Sequence, residues 1–394
     1  MSSQPIPKIV RDNNVIEDKP IFTLLIDSNS LLEHCFHGCK KLNSKGEEYG
    51  AIFQFILQLK ILISKKAFDR IICVWDGDLG GALRTAYLPE YKANRLKDFN
   101  IEEVRSEYYD KMDAFVKKTL EYSRKNKDKI QAKLSEKEDF HRQRNILMSY
   151  LEELFITQIP PCDKMEADDI ISYYVWHRQK NEKIYVVSGD LDLMQLLVED
   201  EVAIYVPRNK AFVSTKTFKS TYNYDYRNVL LIKQFCGDTS DNIKGIKQLG
   251  SDTLLKIMPE IVDRPVKLYE VLTRVKELKQ QRIVEKKKPL MVYENILNQK
   301  SDGMHDGNVY EINDIVMNLK KPLLTEEALT LLTDMMHVPI DPEGRSLANL
   351  YKLMLRDGID ELLNENKFSS FFATFSQLRI NETKMYEKWV KENN

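Results

Sequence analysis

The sequence predicts an α/β fold, with a mainly parallel central sheet, helices on both faces, an inserted helical stretch and a helical C-terminal region. Three observations lead there. Short apolar runs rich in strand formers alternate with helical periodicity in the first half. Several of those runs end at an aspartate. Beyond about residue 265, helical periodicity alternates with lysine-rich connections such as Glu285 to Pro289.

Residues 1–20 mix Pro, Asn and charge without periodicity and read as a mobile tail. The α/β core is expected over 21–227. Ile21 to Ile26 is a buried parallel strand ending at Asp27. Gly50 to Phe68 reads as an apolar helix, and Ile71 to Trp75 as a second strand ending at Asp76. Between about 84 and 150 the chain becomes long, charged and helical, as an insertion would. Lys117, Lys118, Arg124, Lys125, Lys127, Lys129 and Lys133 make its tip positive, although a solvated helical face is the ordinary source of such a run. A helix over about 166–180 then leads to a third strand, Lys183 to Ser188, followed by Gly189 and Asp190; Val202 to Val206 adds another. Ligands of open α/β sheets bind outside the carboxyl ends of the strands, so Asp27, Asp76 and Asp190 are expected on one sheet edge. A single such aspartate would be a helix cap. Three form a candidate site.

At 394 residues and 43% hydrophobic composition, the chain suffices for two or three folding units. It lacks an apolar run of about 18 residues and an apolar signal near its start, so a cytoplasmic protein without a membrane partner is expected. Cys35, Cys39, Cys73, Cys162 and Cys236 are scattered and read as free buried thiols. A zinc site in His34 to Cys39 would need outside ligands, and no second Cys/His cluster follows at zinc spacing. The net charge of −1 leaves room for local basic surfaces masked by an acidic site.

Carboxylates crowd in Met165 to Asp169, Ser188 to Asp192 and Gly237 to Asn242. Such acids repel one another unless cations lie between them, and an all-oxygen donor set selects Mg²⁺ or Mn²⁺ over zinc. A two-metal phosphodiesterase fits that demand. In such a site one ion generates the attacking hydroxide and the other stabilises the leaving oxygen, with the ions roughly 3.5–4 Å apart.

Taken in order, these segments resemble the structure-specific 5′ nucleases: flap endonucleases, bacteriophage 5′-3′ exonucleases and the 5′-nuclease domain of DNA polymerase I. The likeness runs over about 230 residues. It passes from Leu24 to Asn29 through Val74 to Gly77 and Tyr91 to Arg95, then Glu166 to Asp169, Gly189 to Asp192, Gly237 to Asn242 and Gly245 to Gly250. It implies a PIN-like sheet and a first metal group of Asp27, Asp76, Glu166, Asp168 and Asp190. Asp169, Asp192, Asp238 and Asp241 would complete a second, some through water. A regular helix would place Glu166 beside Asp169, whereas the family role falls on Glu166 and Asp168, so Glu166 is expected at an irregular helix start.

The resemblance further implies that the insertion is an arch over the site. Lys92 and Arg95 at its base would act on the scissile phosphate, Tyr91 would stack on a base, and Arg84 would touch phosphate. An ordinary amphipathic helix start is the plainer reading of that segment. Residues 228–265 resemble the family's helix-turn-helix variant for duplex DNA, with helix, turn and helix over Gly237 to about Met258. Gly245 and Gly250 would admit phosphates to the backbone, and Lys244 and Lys247 would attract them. The family often holds a monovalent cation, usually K⁺, in this turn.

The implied partner is DNA with a 5′ flap or 5′ overhang, or an RNA-DNA primer junction, recognised by shape. The absence of an accompanying polymerase region implies a phage-like replication system, with primer or flap removal as the task. Residues 266–394 match nothing in the resemblance. They would pack on the core, extend the duplex surface or dock replication proteins. Phe368 to Phe372 is similar to the aromatic pair of sliding-clamp peptides but lacks the preceding glutamine, so core packing is expected there. Two rivals stay open: a PIN-like endoribonuclease, which would lack the arch and the glycine-bearing turn, and a non-catalytic junction-binding scaffold, which would show broken carboxylate positions.

Overall fold

The structure, a computed structural model, describes residues 19–93 and 127–393. The expected N-terminal tail, apart from its last two residues, and most of the expected arch, Arg95 included, lie outside the described residues.

The first strand, β1 (Ile21–Asp27), is followed by α1 (Ser28–Gly38), α2 (Gly50–Lys65), β2 (Arg70–Val74) and α3 (Ala82–Tyr87). After the undescribed stretch come α4 (Lys127–Glu153), β3 (Thr157–Ile159), α5 (Ala167–Trp176), β4 (Glu182–Val187), β5 (Val202–Val206) and β6 (Ala211–Val213). The six strands form one sheet in the order β3-β2-β1-β4-β5-β6, parallel except for β6. From β1 the chain moves outward to β2 and β3, then crosses back to lay β4 and β5 on the other side. Strand order therefore reverses between β1 and β4, and the crevice at such a reversal is where open sheets bind ligands. Asp27 pairs with Val74 and Ile26 with Val187, so the carboxyl ends of β1, β2 and β4 finish level. The continuous apolar runs of these strands follow from burial on both faces.

One face is covered by α1, α2 and α4 through Leu32, Phe55, Leu59 and Tyr150. The other is covered by α5 through Ile170, Ile171 and Tyr174. The chain continues with α6 (Thr215–Tyr222), α7 (Val229–Cys236), a ribbon of β7 (Gly237–Asp238) and β8 (Ile243–Lys244), and α8 (Ser251–Ile257). The turn region thus differs from the expected helix, turn and helix over 237–258. Its first helix ends at Cys236, and an antiparallel ribbon fills the interval. Gly237 causes this: at φ +72° it caps α7 in a conformation that favours glycine. A Cβ on Gly245 would stand 2.1 Å from the Cys236 carbonyl carbon, so backbone packing accounts for that glycine.

The remaining helices are α9 (Leu268–Val284), α10 (Met291–Leu297), α11 (Val309–Met317), α12 (Glu326–Met335), α13 (Leu347–Arg356), α14 (Glu365–Phe372) and α15 (Ser376–Asn393). The first two pack with α7 and α8 around Phe235, Leu254, Val275 and Ile296. The later ones return to the sheet. Leu319, Ala328 and Leu332 join the α5 face, while Leu350, Phe372 and Leu378 join the α2 face. Phe368 and Phe372 are core residues, 7% and 0% exposed. Among the described residues no helix is long and apolar enough to cross a membrane.

Candidate active site

Asp27 ends β1 and caps α1, accepting from the Ser30 amide at 3.1 Å. The Ser188 hydroxyl at the end of β4 donates to Asp27 at 2.8 Å and accepts from the Asp190 amide at 3.0 Å, tying the strands on either side of the reversal together. Asp76 follows β2 and accepts from the Ala167 amide at 2.7 Å, which pins the start of α5 to the same edge. Gly77 makes that approach possible, since a Cβ there would lie 1.6 Å from the Cys162 carbonyl oxygen. Glu166 stands at the N-cap of α5 with extended backbone, φ −95° and ψ 146°, while Asp168 lies in the first helical turn. This is the irregular start expected from the sequence, and it lets Glu166 and Asp168 serve one site.

The cluster divides electrostatically. Burial, then Asp76, pushes Asp27 up to about 7. Burial also raises Asp76 above the usual carboxylate range against the Ala167 hydrogen bond. It raises Asp168 well above that range, reinforced by Asp190, Asp27 and Glu166. Among the described residues no lysine or arginine is ion-paired with these three acids. Glu166 and Asp238 behave in the opposite way. Burial would raise both, but Arg84 and Lys92 hold Glu166 below its ordinary range, and Lys233 brings Asp238 down to about 2.

Three residues expected to face a ligand are engaged within the protein. Arg84 does not reach toward phosphate: at 5% exposure its guanidinium contacts Asp169 at 2.5 and 3.0 Å, Glu166 at 2.7 Å and the Val316 carbonyl at 2.8 Å. Asp169 is correspondingly engaged inside the protein. It is 1% exposed, and its carboxylate is taken by Arg84 and the Leu323 amide at 3.0 Å. Tyr91, also 5% exposed, is packed inward; its hydroxyl lies 2.9 Å from Glu166 and 3.2 Å from Asp241. Lys92 is at the rim, with its ammonium on Glu166 and 3.7 Å from Asp241, and its amide donates to the Asp241 carbonyl at 2.8 Å. Lys233 of α7, absent from the sequence expectation, bridges Asp192 and Asp238, the latter at 2.6 Å. Its signal was a single cation in the apolar run Val229 to Cys236, just ahead of Gly237-Asp238.

In the turn region Lys244 is half-buried and Lys247 is exposed, its ammonium 2.8 Å from Asp302. Gly250 is exposed with open space around it, immediately before α8. Cys35 and Cys73 are buried in the core and pushed up to about 12 by burial, as inert thiols are.

Among the described residues, no group of three or more His, Cys, Asp or Glu side chains is gathered closely enough to hold an ion as it stands. The donor chemistry nevertheless fits a hard divalent cation. Asp27, Asp76 and Asp168 are carboxylates raised by burial and mutual repulsion, which a cation between them would relieve.

An open parallel sheet with a carboxylate crevice at its strand reversal is the class of fold this chain adopts. The chain belongs to the 5′-3′ exonuclease family: residues 22–223 match the family model of the 5′-3′ exonuclease, N-terminal resolvase-like domain. It is 22% identical over 270 residues to a 5′-3′ exonuclease of Buchnera aphidicola, covering 67% of this chain and 78% of the relative. It is 32% identical over 117 residues to a 5′-3′ exonuclease of Halalkalibacterium halodurans, covering 28% of this chain and 38% of that protein. Against DNA polymerase I of Bacillus subtilis the identity is 25% over 265 residues, 65% of this chain and 25% of the polymerase. The crystal structure of the T5 D15 protein co-crystallized with metal ions shares the fold over 91% of this chain and 99% of its own, with TM-score 0.53 and 15% identity.

Proposed function

We propose that the chain is a divalent-metal-dependent, structure-specific 5′ nuclease acting on DNA with a 5′ flap or overhang, or on an RNA-DNA primer junction, in replication. The observation that carries this reading is the convergence of Asp27, Asp76, Asp168 and Asp190 at the strand reversal, all four raised by burial without an ion-paired cation among the described residues. Asp27, Asp76, Asp168 and Asp190, with Glu166, would hold one Mg²⁺ or Mn²⁺, and Asp192, Asp238 and Asp241 a second; when bound, such ions supply Lewis acidity for phosphodiester hydrolysis. The chain's own part is to orient and to balance charge. Ser188 and the Ala167 amide fix the Asp27 and Asp76 carboxylates, and Arg84 with Tyr91 fixes Glu166. Lys92, at the rim, would turn its ammonium from Glu166 toward the phosphate being cut. Arg95 would act beside it. Lys244, Lys247, Gly245 and Gly250 would face the duplex backbone, with K⁺ as a further ion of that turn.

The test is cleavage of a labelled 5′-flap DNA with Mg²⁺ or with EDTA, alongside Asp168→Ala and a single-stranded RNA control. Magnesium-dependent cutting near the junction, lost in the variant, supports the reading. Tight flap binding without cleavage in either Mg²⁺ or Mn²⁺ would replace it with a junction-binding scaffold, and preferential RNA cutting with an endoribonuclease.

A further inference from the structure

The acids of the crevice are treated unequally by the protein itself. On the side of β1 and β2, Asp27 repels Asp76 and Asp168, and among the described residues no lysine or arginine is ion-paired with the three; Lys92, paired with Glu166, offsets only part of the charge at Asp76 and Asp168. On the side of α7, the Lys233 ammonium lies between Asp192 and Asp238, with only about a sixth of its side chain exposed. Asp192 follows β4, its amide donating to Asp190 at 2.7 Å, and Asp238 closes β7. Lys233 therefore links two segments that approach the crevice from different parts of the chain. Its helix is short and, apart from Gln234, otherwise apolar, with Val229, Leu231, Ile232 and Phe235 buried, which fixes where the lysine stem starts.

We infer that Lys233 is a built-in counter-ion that occupies the place of the second divalent cation, so that the two ions load unequally. The inference rests on the metal-dependent reading above. The first ion enters a group of acids with which no lysine or arginine is ion-paired among the described residues, so it displaces no side-chain cation. The second must displace an ammonium already paired with Asp192 and Asp238, and its apparent affinity is lowered by the stability of those pairs. An ammonium carries one charge and donates from a flexible four-carbon stem, so it can leave without disturbing the fold. The paired lysine would also keep Asp192 and Asp238 from repelling each other in the metal-free protein. On this account the second position fills only at elevated cation concentration, or when another anion, such as a substrate phosphate, draws Lys233 away.

Direct metal binding tests this without turnover. Full-length protein stripped of metal is titrated with Mn²⁺ in the absence of DNA, and free Mn²⁺ is read by electron paramagnetic resonance. The expected wild-type isotherm has one tight and one weaker ion. Lys233→Met should tighten the weaker ion by about tenfold or more and leave the tight one unchanged, whereas Lys233→Arg, which keeps the cation, should follow the wild type. Lys233→Gln gives the same comparison if the Met variant fails to fold. Superimposable isotherms for wild type and the neutral variant, or a weaker second ion in the variant, would overturn the inference while leaving the nuclease reading intact. A wild-type protein that binds no Mn²⁺ would overturn both.

Discussion

Replacing Arg84 with methionine tests how the site is held. The guanidinium makes four contacts of 2.5 to 3.0 Å, three to carboxylate oxygens of Asp169 and Glu166 and one to the Val316 carbonyl. Arg84→Met removes the only charge partner seen for Asp169 among the described residues, at a position 1% exposed. Removing one member of a buried ion pair costs about 3–5 kcal/mol, because the remaining charge is left buried and unpaired. At roughly 2.1 cal/mol/K per residue of unfolding entropy, 4 kcal/mol in a chain of this length lowers Tm by about 5 °C. Urea and thermal melts of the metal-free protein measure this. The double variant Arg84→Met with Asp169→Leu should recover much of the loss, since apolar replacement of a buried pair is often nearly neutral. A single variant that melts within about 1 °C of wild type, or a double variant worse than the single by a further 3 kcal/mol, would refute the assignment of Arg84 as the internal partner of Asp169.

Two further outcomes follow from other parts of the molecule. Asp27 binds its proton more tightly folded, at about 7, than unfolded, at 3.8, so metal-free stability should fall as pH rises between those values, on the order of 4 kcal/mol in all; melts at pH 5 and pH 8 should show roughly 3 kcal/mol of it, and saturating Mg²⁺ should reverse the loss, whereas a flat metal-free profile would contradict it. Phe372→Ala should cost about 3–5 kcal/mol because the ring is fully buried against the α2 face, and unchanged stability in a urea melt would show that α14 does not brace the sheet.

The sheet edge was legible because its signal is local. An apolar run that ends at aspartate states both the strand and the place where it stops, and Asp27, Asp76 and Asp190 each follow that rule. Glu166 was legible for a similar reason, since the conflict between helical spacing and the expected pairing could be resolved only at a helix start. The burial of Arg84, Tyr91 and Asp169 was not legible because burial is a tertiary property. The Arg84 guanidinium is held by a carbonyl 232 residues away, and no spacing rule reaches that far. Beside a phosphate motif an arginine looks like a ligand for substrate, and only the packing of α11 against α3 turns it inward. Lys233 left a faint trace, a single charge in a mostly apolar helix. The C-terminal helices were visible as helices, but their destination was not, since an apolar stripe does not name the surface that covers it.

The return of those helices to the sheet has a consequence for synthesis on the ribosome. The last strand of the six-stranded sheet is complete at Val213, but the face carrying Phe55 and Leu59 is closed only when Phe372 and Leu378 arrive. At roughly 5–20 residues per second that interval lasts about 8 to 30 s. Throughout it the nascent chain presents a finished sheet with part of one side still bare, a form prone to stick to its neighbours in a polysome. A translation stall or a premature stop within α13 or α14 would therefore leave an aggregation-prone fragment instead of a shortened enzyme, and the chain depends on its final helices to become safe as well as stable.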